Sequence, residues 1–174
     1  GRWFDERFER LEKRRTYARL SRRQSSAPDI PRPSWRYEDA PRAGRTFGVL
    51  LDTSGSMDRA LLAAALGAVA SYSAARDVKQ VRVVFCDAAP YDQGYMEAVD
   101  IAGSVRVRGR GGTVLQPGVE LLEQARDFPR EAPLLIITDC ECDRLNLHGR
   151  DHAFLVPRGR SLPFPPRGPV FYLE

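Results

Sequence analysis

The chain has 174 residues, of which 43% are hydrophobic and 29% charged, so it can bury one good core but is short for two full domains. Its net charge is +4, and its one long apolar run, residues 60–75, is too rich in Ala and too often interrupted to predict a membrane span. Three cysteines are too few for a disulfide framework, so we expect a reducing, cytoplasmic setting.

Residues 1–45 form a predicted basic arm, with 13 Lys/Arg against 7 Asp/Glu. Phe4, Phe8 and Leu11 follow the i, i+4, i+7 pattern of a helix with a narrow apolar stripe, which we expect to dock on another surface. Residues 24–45 are rich in Pro, Ser and Arg and predict an extended connector. The arm has no signal-peptide core, and Gly1 in place of an initiator Met suggests a piece of a larger chain.

Residues 46–174 alternate short apolar runs with helical patterns, which predicts an α/β fold with a doubly wound, mostly parallel sheet and helices on both faces. One run, 105–108, alternates apolar and basic residues and suits an exposed edge strand, which can be antiparallel. The predicted helices cover Asp58–Arg76 and the stretch from Leu115 to Arg126. The predicted strands are 46–51, 81–85, 105–108, 134–138, 153–156 and 170–173.

Hydroxyl and carboxylate side chains follow two of these strands and one glycine turn. Asp52, Ser54 and Ser56 come after the first strand, Thr113 follows a pair of glycines, and Asp139 closes a buried run. Ligands of parallel α/β sheets gather at the carboxyl ends of the strands, and hard oxygen donors suit Mg²⁺ or Mn²⁺. The alternative is a plain turn with a helix N-cap, because Asp, Ser, Thr and Gly all favour such positions.

The pattern Asp52-x-Ser54-x-Ser56, then Thr113, then Asp139 resembles the metal-ion-dependent adhesion site (MIDAS) of von Willebrand factor type A (vWA) domains. The resemblance covers residues 45–174. Together with residues 84–87 (VFCD), the arm is similar to the vWA-like domain at the C-terminus of predicted bacterial metallopeptidases.

This resemblance implies a magnesium or manganese ion touched by the hydroxyls of Ser54, Ser56 and Thr113. It implies that Asp52 and Asp139 act mainly through bound water or from behind the direct ligands, and that a carboxylate of a partner protein fills the remaining position. The implied function is a metal-dependent adaptor module in an ATPase- or peptidase-associated complex, and family context suggests an AAA+ ATPase as the partner.

The chain departs from the vWA pattern in three respects. Cys140 stands where a Gly commonly follows the last Asp, so its side chain could crowd the site. No final helix is predicted after residue 156. Asp87 ends a strand of its own, and the sequence leaves open whether it joins the site or only stabilises a turn.

Three other functions are weighed against the adaptor. The first is zinc binding, suggested by Cys140, Cys142, His148 and His152. The predicted topology, however, puts Cys140 and His152 at opposite ends of the sheet.

The second is nucleic-acid binding. Residues 106–110 are Arg- and Gly-rich and could, with the arm, contact nucleic acid, although no aromatic residues for base stacking accompany them. A phosphoester hydrolase would need Asp87 or Glu141 as a general base. The histidine segment also lacks the Glu of a zinc-peptidase helix, so the chain is not predicted to be the peptidase itself.

Overall fold

The computed structural model describes residues 2–8, 13–16, 34–37, 45–105 and 112–173. The helices of this part are α1 (Arg2–Arg7), α2 (Arg59–Ala75), α3 (Ile101–Ser104) and α4 (Gln116–Gln124). The strands are β1 (Lys13–Thr16), β2 (Ser34–Tyr37), β3 (Gly48–Asp52), β4 (Gln80–Cys86), β5 (Pro90–Glu97), β6 (Leu134–Ile137), β7 (His152–Pro157) and β8 (Val170–Leu173).

Six strands form one sheet in the order β5-β4-β3-β6-β7-β8. All neighbours pair in parallel except β4 and β5, which are antiparallel. The chain moves outward from β3 to β4 and β5 and then crosses back to place β6, β7 and β8 on the other side of β3. Strand order therefore reverses between β3 and β6, which is where open α/β sheets hold their ligands. The predicted α/β fold is confirmed.

Each face of this sheet has its own core. On one face, Val49 and Leu51 of β3 pack with α2, while Leu50 points to the other face and packs with α4. Such alternation is the period-two pattern of a strand that is covered on both sides. A side chain at Gly118 of α4 would place its Cβ 2.5 Å from Leu50 Cδ1, so glycine is what lets this helix approach β3.

One edge of the sheet is formed by a strand that the sequence does not predict. Val105 lies outside any strand, and residues 106–108 lie outside the described part of the chain. The edge position is occupied by β5, in which Tyr95 and its neighbours are mostly half-buried or exposed. A strand with one solvated face lacks the continuous apolar run that identified the buried strands, so its sequence gave no comparable signal.

The arm also differs from its prediction. Its helix ends at Arg7, residues 13–16 form β1 instead of continuing the helix, and β2 from the predicted connector pairs antiparallel with β1. Leu11 of the predicted stripe lies outside the described residues. Phe8 is 6% exposed, and its ring lies 5.9 Å from that of Phe47. Together with Trp3 it belongs to the core on the α2 face.

The second half of the sheet has unusual connections. Residues 138–151 link β6 to β7, and residues 158–169 link β7 to β8. Parallel neighbours are usually joined through a helix that covers the sheet face. Both connections are fully described, and neither contains a helix. Irregular chain therefore covers the α4 face of β7, with Leu145 and Phe164 packed into the core there.

Candidate functional site

Asp52 ends β3 at the point where strand order reverses, and its side chain is fully buried. The backbone N–H of Ser54 donates to Asp52 Oδ1 at 2.9 Å, and the hydroxyl of Thr138 donates to Oδ2 at 2.9 Å. Thr138 comes directly after β6, so the second bond joins the ends of two neighbouring parallel strands. The Asp52 carboxylate is thereby fixed between β3 and β6.

The two serines of the first segment lie side by side, with Ser54 Oγ and Ser56 Oγ 3.0 Å apart. Ser54 is buried, whereas Ser56 is exposed. Neither caps α2, because the N-cap is Asp58, whose carboxylate accepts a hydrogen bond from Ala60 N–H at 3.1 Å. The serines therefore do not act as the N-cap of α2, and their hydroxyls are hydrogen-bonded to each other.

Asp139 follows Thr138 at the same edge of the sheet and is 4% exposed. Its Oδ1 accepts a hydrogen bond from Glu141 N–H at 3.0 Å. Its Oδ2 is buried and has no hydrogen-bond partner among the described residues. A buried carboxylate oxygen without a partner is energetically costly, so this atom marks a place where a cation or a water molecule would be favourable.

Cys140 adopts a backbone φ of +75°, the left-handed region that residues with a side chain seldom occupy. Its N–H donates to Thr138 Oγ1 at 3.2 Å, so the Thr138 hydroxyl both accepts from Cys140 and donates to Asp52. A glycine would adopt this conformation without that steric cost. The Cys140 side chain is accommodated in the core of the α4 face.

Thr113 lies in the segment before α4, and β4 anchors that segment. Val114 N–H donates to the Asp87 carbonyl at 2.9 Å, and the Cys86 thiol donates to the Val114 carbonyl at 3.1 Å. Because β4 neighbours β3, Thr113 is tethered at the edge of the sheet that carries Asp52. Asp87 has a local role, since its Oδ1 accepts from Ala89 N–H at 3.1 Å. Within the described ranges, no hydrogen bond joins Thr113 to the two serines.

Three residues that support this edge escaped the sequence analysis: Thr138, Cys86 and Asp143. The Asp143 carboxylate accepts hydrogen bonds from Leu115 and Gln116 N–H, at 2.6 and 3.2 Å, and so caps α4 from a distant loop. Only Thr138 left a signal, as the single polar residue that closes a run of apolar ones. Contacts such as that of Asp143, 28 residues away, have no local pattern.

Burial is the main cause of the altered acidity at this edge. It raises the pKa of Asp52; the hydrogen bonds from Ser54 and Thr138 oppose that rise, and nearby Asp139 adds to it. Burial likewise raises the pKa of Cys86 and Cys142 to about 12 and that of Cys140 to about 11. The three thiols are therefore protonated at neutral pH, and the charged donors here are carboxylate oxygens.

The zinc alternative is not supported by the geometry. His152 pairs with Leu134 at the start of β6, whereas Cys140 follows the end of that strand, so the two residues lie at opposite ends of the sheet. Across the described ranges, no group of three or more His, Cys, Asp or Glu side chains could hold a metal ion. A cation at the Asp52 edge would have to use hydroxyl groups as well as carboxylates.

A protein-family comparison matches residues 47–170 to the VWA-like domain (DUF2201). The chain belongs to this family. The match covers the six-stranded sheet except the last three residues of β8. VWA-like domains often mediate protein interactions, so membership indicates a protein-interaction module.

Among solved structures, the chain is similar to an aerotolerance-related membrane protein from Bacteroides fragilis, crystallised with multiple mutations to serines. The two share 14% sequence identity with a TM-score of 0.55, over 75% of this chain and 92% of that one. At this identity the likeness shows the fold alone. A search of curated proteins found no match. Within the described residues, no helix is long and apolar enough to cross a membrane.

Proposed function

We propose that this VWA-like domain binds a partner protein through a divalent cation, Mg²⁺ or Mn²⁺, held at the edge where β3 and β6 end. Ser54, Ser56 and Thr113 would offer hydroxyl ligands. Asp52 and Asp139 would supply negative charge, mainly through water or from behind the direct ligands. The bound ion would attract an acidic side chain of the partner, because a cation with few charged ligands gains from a further carboxylate.

One observation carries this proposal: Asp139 Oδ2 is buried without a hydrogen-bond partner among the described residues, at the edge that also holds two adjacent serine hydroxyls. Burial also raises the pKa of Asp52, and Asp139 contributes to that rise. Two buried carboxylates near each other are destabilising unless a cation offsets their charge. The donor set is all oxygen, which favours a hard ion over zinc.

The partner class and the cellular setting are inferred from the sequence resemblance, and the two other functions have less support. We propose a cytoplasmic complex with an ATPase of the AAA+ class or a peptidase, on the strength of the resemblance alone. A hydrolase is less well supported, because Glu141 is paired with Arg160 at 2.9 Å and Asp87 accepts from Ala89 N–H. The Arg-rich stretch that motivated nucleic-acid binding, residues 106–110, lies outside the described part of the chain.

Calorimetric titration of Mg²⁺ and Mn²⁺ tests the cation site. We expect saturable heat with the wild-type chain and a loss of at least about tenfold in affinity with Asp139→Asn and with Ser56→Ala, because each removes an oxygen donor or its charge. Ser71→Ala, an exposed serine of α2, is the matched control and should bind as the wild type does. Equal affinities for wild type and Asp139→Asn would refute the site.

The second step is tested with a partner recovered in Mg²⁺. Binding of that purified partner should be lost in chelator and reduced by Ser56→Ala but not by Ser71→Ala. Replacing the responsible acidic residue of the partner by its amide should abolish the metal dependence. Binding that persists unchanged in chelator would contradict a cation-mediated contact while leaving the interaction module itself intact.

A further inference from the structure

A cavity of about 260 Å³ lies on the α4 face of the sheet, beneath the two connections that lack a helix. Its lining comes from residues 144–148 of the first connection, from Phe164, Pro165 and Arg167 of the second, and from His152 and Phe154 of β7. A helix would fill this space with side chains, whereas the irregular segments leave a hollow. The cavity is thus a direct result of the connections after β6 and β7.

Three buried rings form a row in this cavity. The His152 ring meets Phe154 edge-on with centroids 5.5 Å apart, and Phe154 meets Phe164 in the same manner at 6.0 Å. All three are at most 9% exposed. A Cβ at Gly168 would lie 2.2 Å from the His152 carbonyl oxygen and 2.8 Å from its ring carbon Cδ2, so glycine lets the chain pack tightly on this histidine.

The hydrogen bond of His152 determines which of its ring nitrogens carries a hydrogen. Nδ1 lies 2.9 Å from the Arg150 carbonyl oxygen, which can only accept, so Nδ1 carries a proton and donates it. Nε2 has no hydrogen-bond partner among the described residues. The ring is therefore fixed in place by one nitrogen and retains a second polar atom that the described fold does not use.

The charged side chains that line the cavity are all positive. The lining includes Arg144 and Arg167 and no Asp or Glu. Within the described ranges, neither Arg144 nor Arg167 forms an ion pair. Arg160, by contrast, pairs with Glu141 nearby. Unpaired guanidinium groups beside a cavity are ready donors for a carboxylate or a phosphate.

We propose that this cavity binds a small anion with a flat apolar body, such as an aryl phosphate or an aryl carboxylate. The guanidinium groups of Arg144 and Arg167 would bind the anionic group, and the Phe164 ring and the half-buried Leu147 side chain would contact the apolar body. The volume is just below the roughly 300–1,000 Å³ of pockets for drug-sized molecules, so the ligand is small. This site is distinct from the proposed cation site, because none of the proposed cation ligands lines the cavity.

Titrations followed by ¹⁵N–¹H NMR test the proposal, with phenyl phosphate, benzoate, inorganic phosphate and benzyl alcohol as probes. All are run in chelator, so that phosphate cannot bind through a cation at the Asp52 edge and failure of the cation site leaves the result unaffected. We expect saturable shifts of the amide signals of residues 144–148 and of Phe164, Arg167 and Gly168 with phenyl phosphate or benzoate. Which of the two binds more tightly distinguishes a phosphate from a carboxylate ligand.

The same titrations on variants establish the role of the two arginines. Arg144 and Arg167 are exposed, so the double variant Arg144→Gln/Arg167→Gln should fold and should bind at least about tenfold more weakly. Arg126→Gln, an exposed arginine outside the cavity, is the matched control and should bind normally. Unchanged affinity in the double variant, equally tight binding of benzyl alcohol, or no localised shifts with either aryl anion would overturn the proposal.

Discussion

Thr138 connects the two halves of the candidate cation site through a single hydroxyl. It donates to the buried Asp52 carboxylate at 2.9 Å and accepts from Cys140 N–H at 3.2 Å. Substitution by Val keeps the shape of the side chain but removes both bonds. The sequence includes Thr138 only as the last residue of a predicted strand, although its partner lies 86 residues away. Site residues that act across two strands cannot be identified from local spacing.

We expect Thr138→Val to lower the free energy of unfolding by about 1.5–3 kcal/mol, because a buried carboxylate loses a donor. Urea unfolding at pH 7 in chelator measures this loss. Thr46→Val is the matched control, since the Thr46 hydroxyl donates to the neutral carbonyl of Gln80 at 2.9 Å. That variant should lose only about 0.5–1.5 kcal/mol. Equal losses of unfolding free energy in the two variants would show that the hydrogen bond to Asp52 stabilises the fold no more than one to a neutral carbonyl.

At the scale of elements, the sequence predicts the buried strands and the edge strand β8 well, whereas β5, the other edge strand, is not predicted. Residues 134–137 are apolar throughout and were readily identified, because a strand covered on both faces needs such a run. β5 instead depends on tertiary contacts. Arg82 of β4 is only 5% exposed along its side chain and pairs with Asp92 through both guanidinium NH₂ groups. An ion pair between adjacent strands has no counterpart in local periodicity.

The Arg82–Asp92 pair should make the stability of the protein depend measurably on pH. The hydrogen bonds from Arg82 lower the pKa of Asp92 from its ordinary value of 3.8. A carboxylate whose folded-state pKa is lowered contributes stability above its unfolded-state pKa and loses it as the pH falls through the folded-state value. Stability should therefore decline below about pH 4, and this decline should be shallower in Asp92→Asn.

At pH 7 the same substitution should cost about 1–2 kcal/mol, near the lower range for charged hydrogen bonds, because Asp92 is 41% exposed and solvent screens the pair. Urea unfolding at pH 7, 5 and 3 gives both results. Asp100→Asn serves as the control, since Asp100 is exposed and makes no side-chain capping bond to α3. A parallel pH profile for Asp92→Asn and wild type would argue against this role of the pair.

At the scale of the whole molecule, the N-terminal segment contributes to the core. The sequence predicts a stripe of apolar residues that docks on another surface, and Phe8 does pack on Phe47, which precedes β3. The extent of the helix was overestimated, because β1 begins at Lys13. Charge density and i, i+4 spacing do not exclude a short strand, and the pairing with β2 spans a long intervening segment.

We expect Phe8→Ala to lower the free energy of unfolding by about 3 kcal/mol, because a buried ring leaves a cavity against Phe47. Glu6→Gln, an exposed position on the same helix, should change it by less than about 0.5 kcal/mol. Thermal and urea unfolding both report the difference. If Phe8→Ala is as stable as wild type, the segment contributes little to folding, as expected of a detachable arm.

The attachment of α1 combines two kinds of force that respond differently to ionic strength. Arg7 pairs with Asp151 and Asp5 pairs with Arg76, each with one side chain more than two-fifths exposed to solvent. Dissolved salt weakens exposed ion pairs, since the Debye length is about 8 Å at physiological concentration and about 3 Å at 1 M. The burial of Trp3 and Phe8 is not screened in this manner. Concentrated salt should therefore weaken the two ion pairs that hold α1, while the Trp3 and Phe8 rings stay buried.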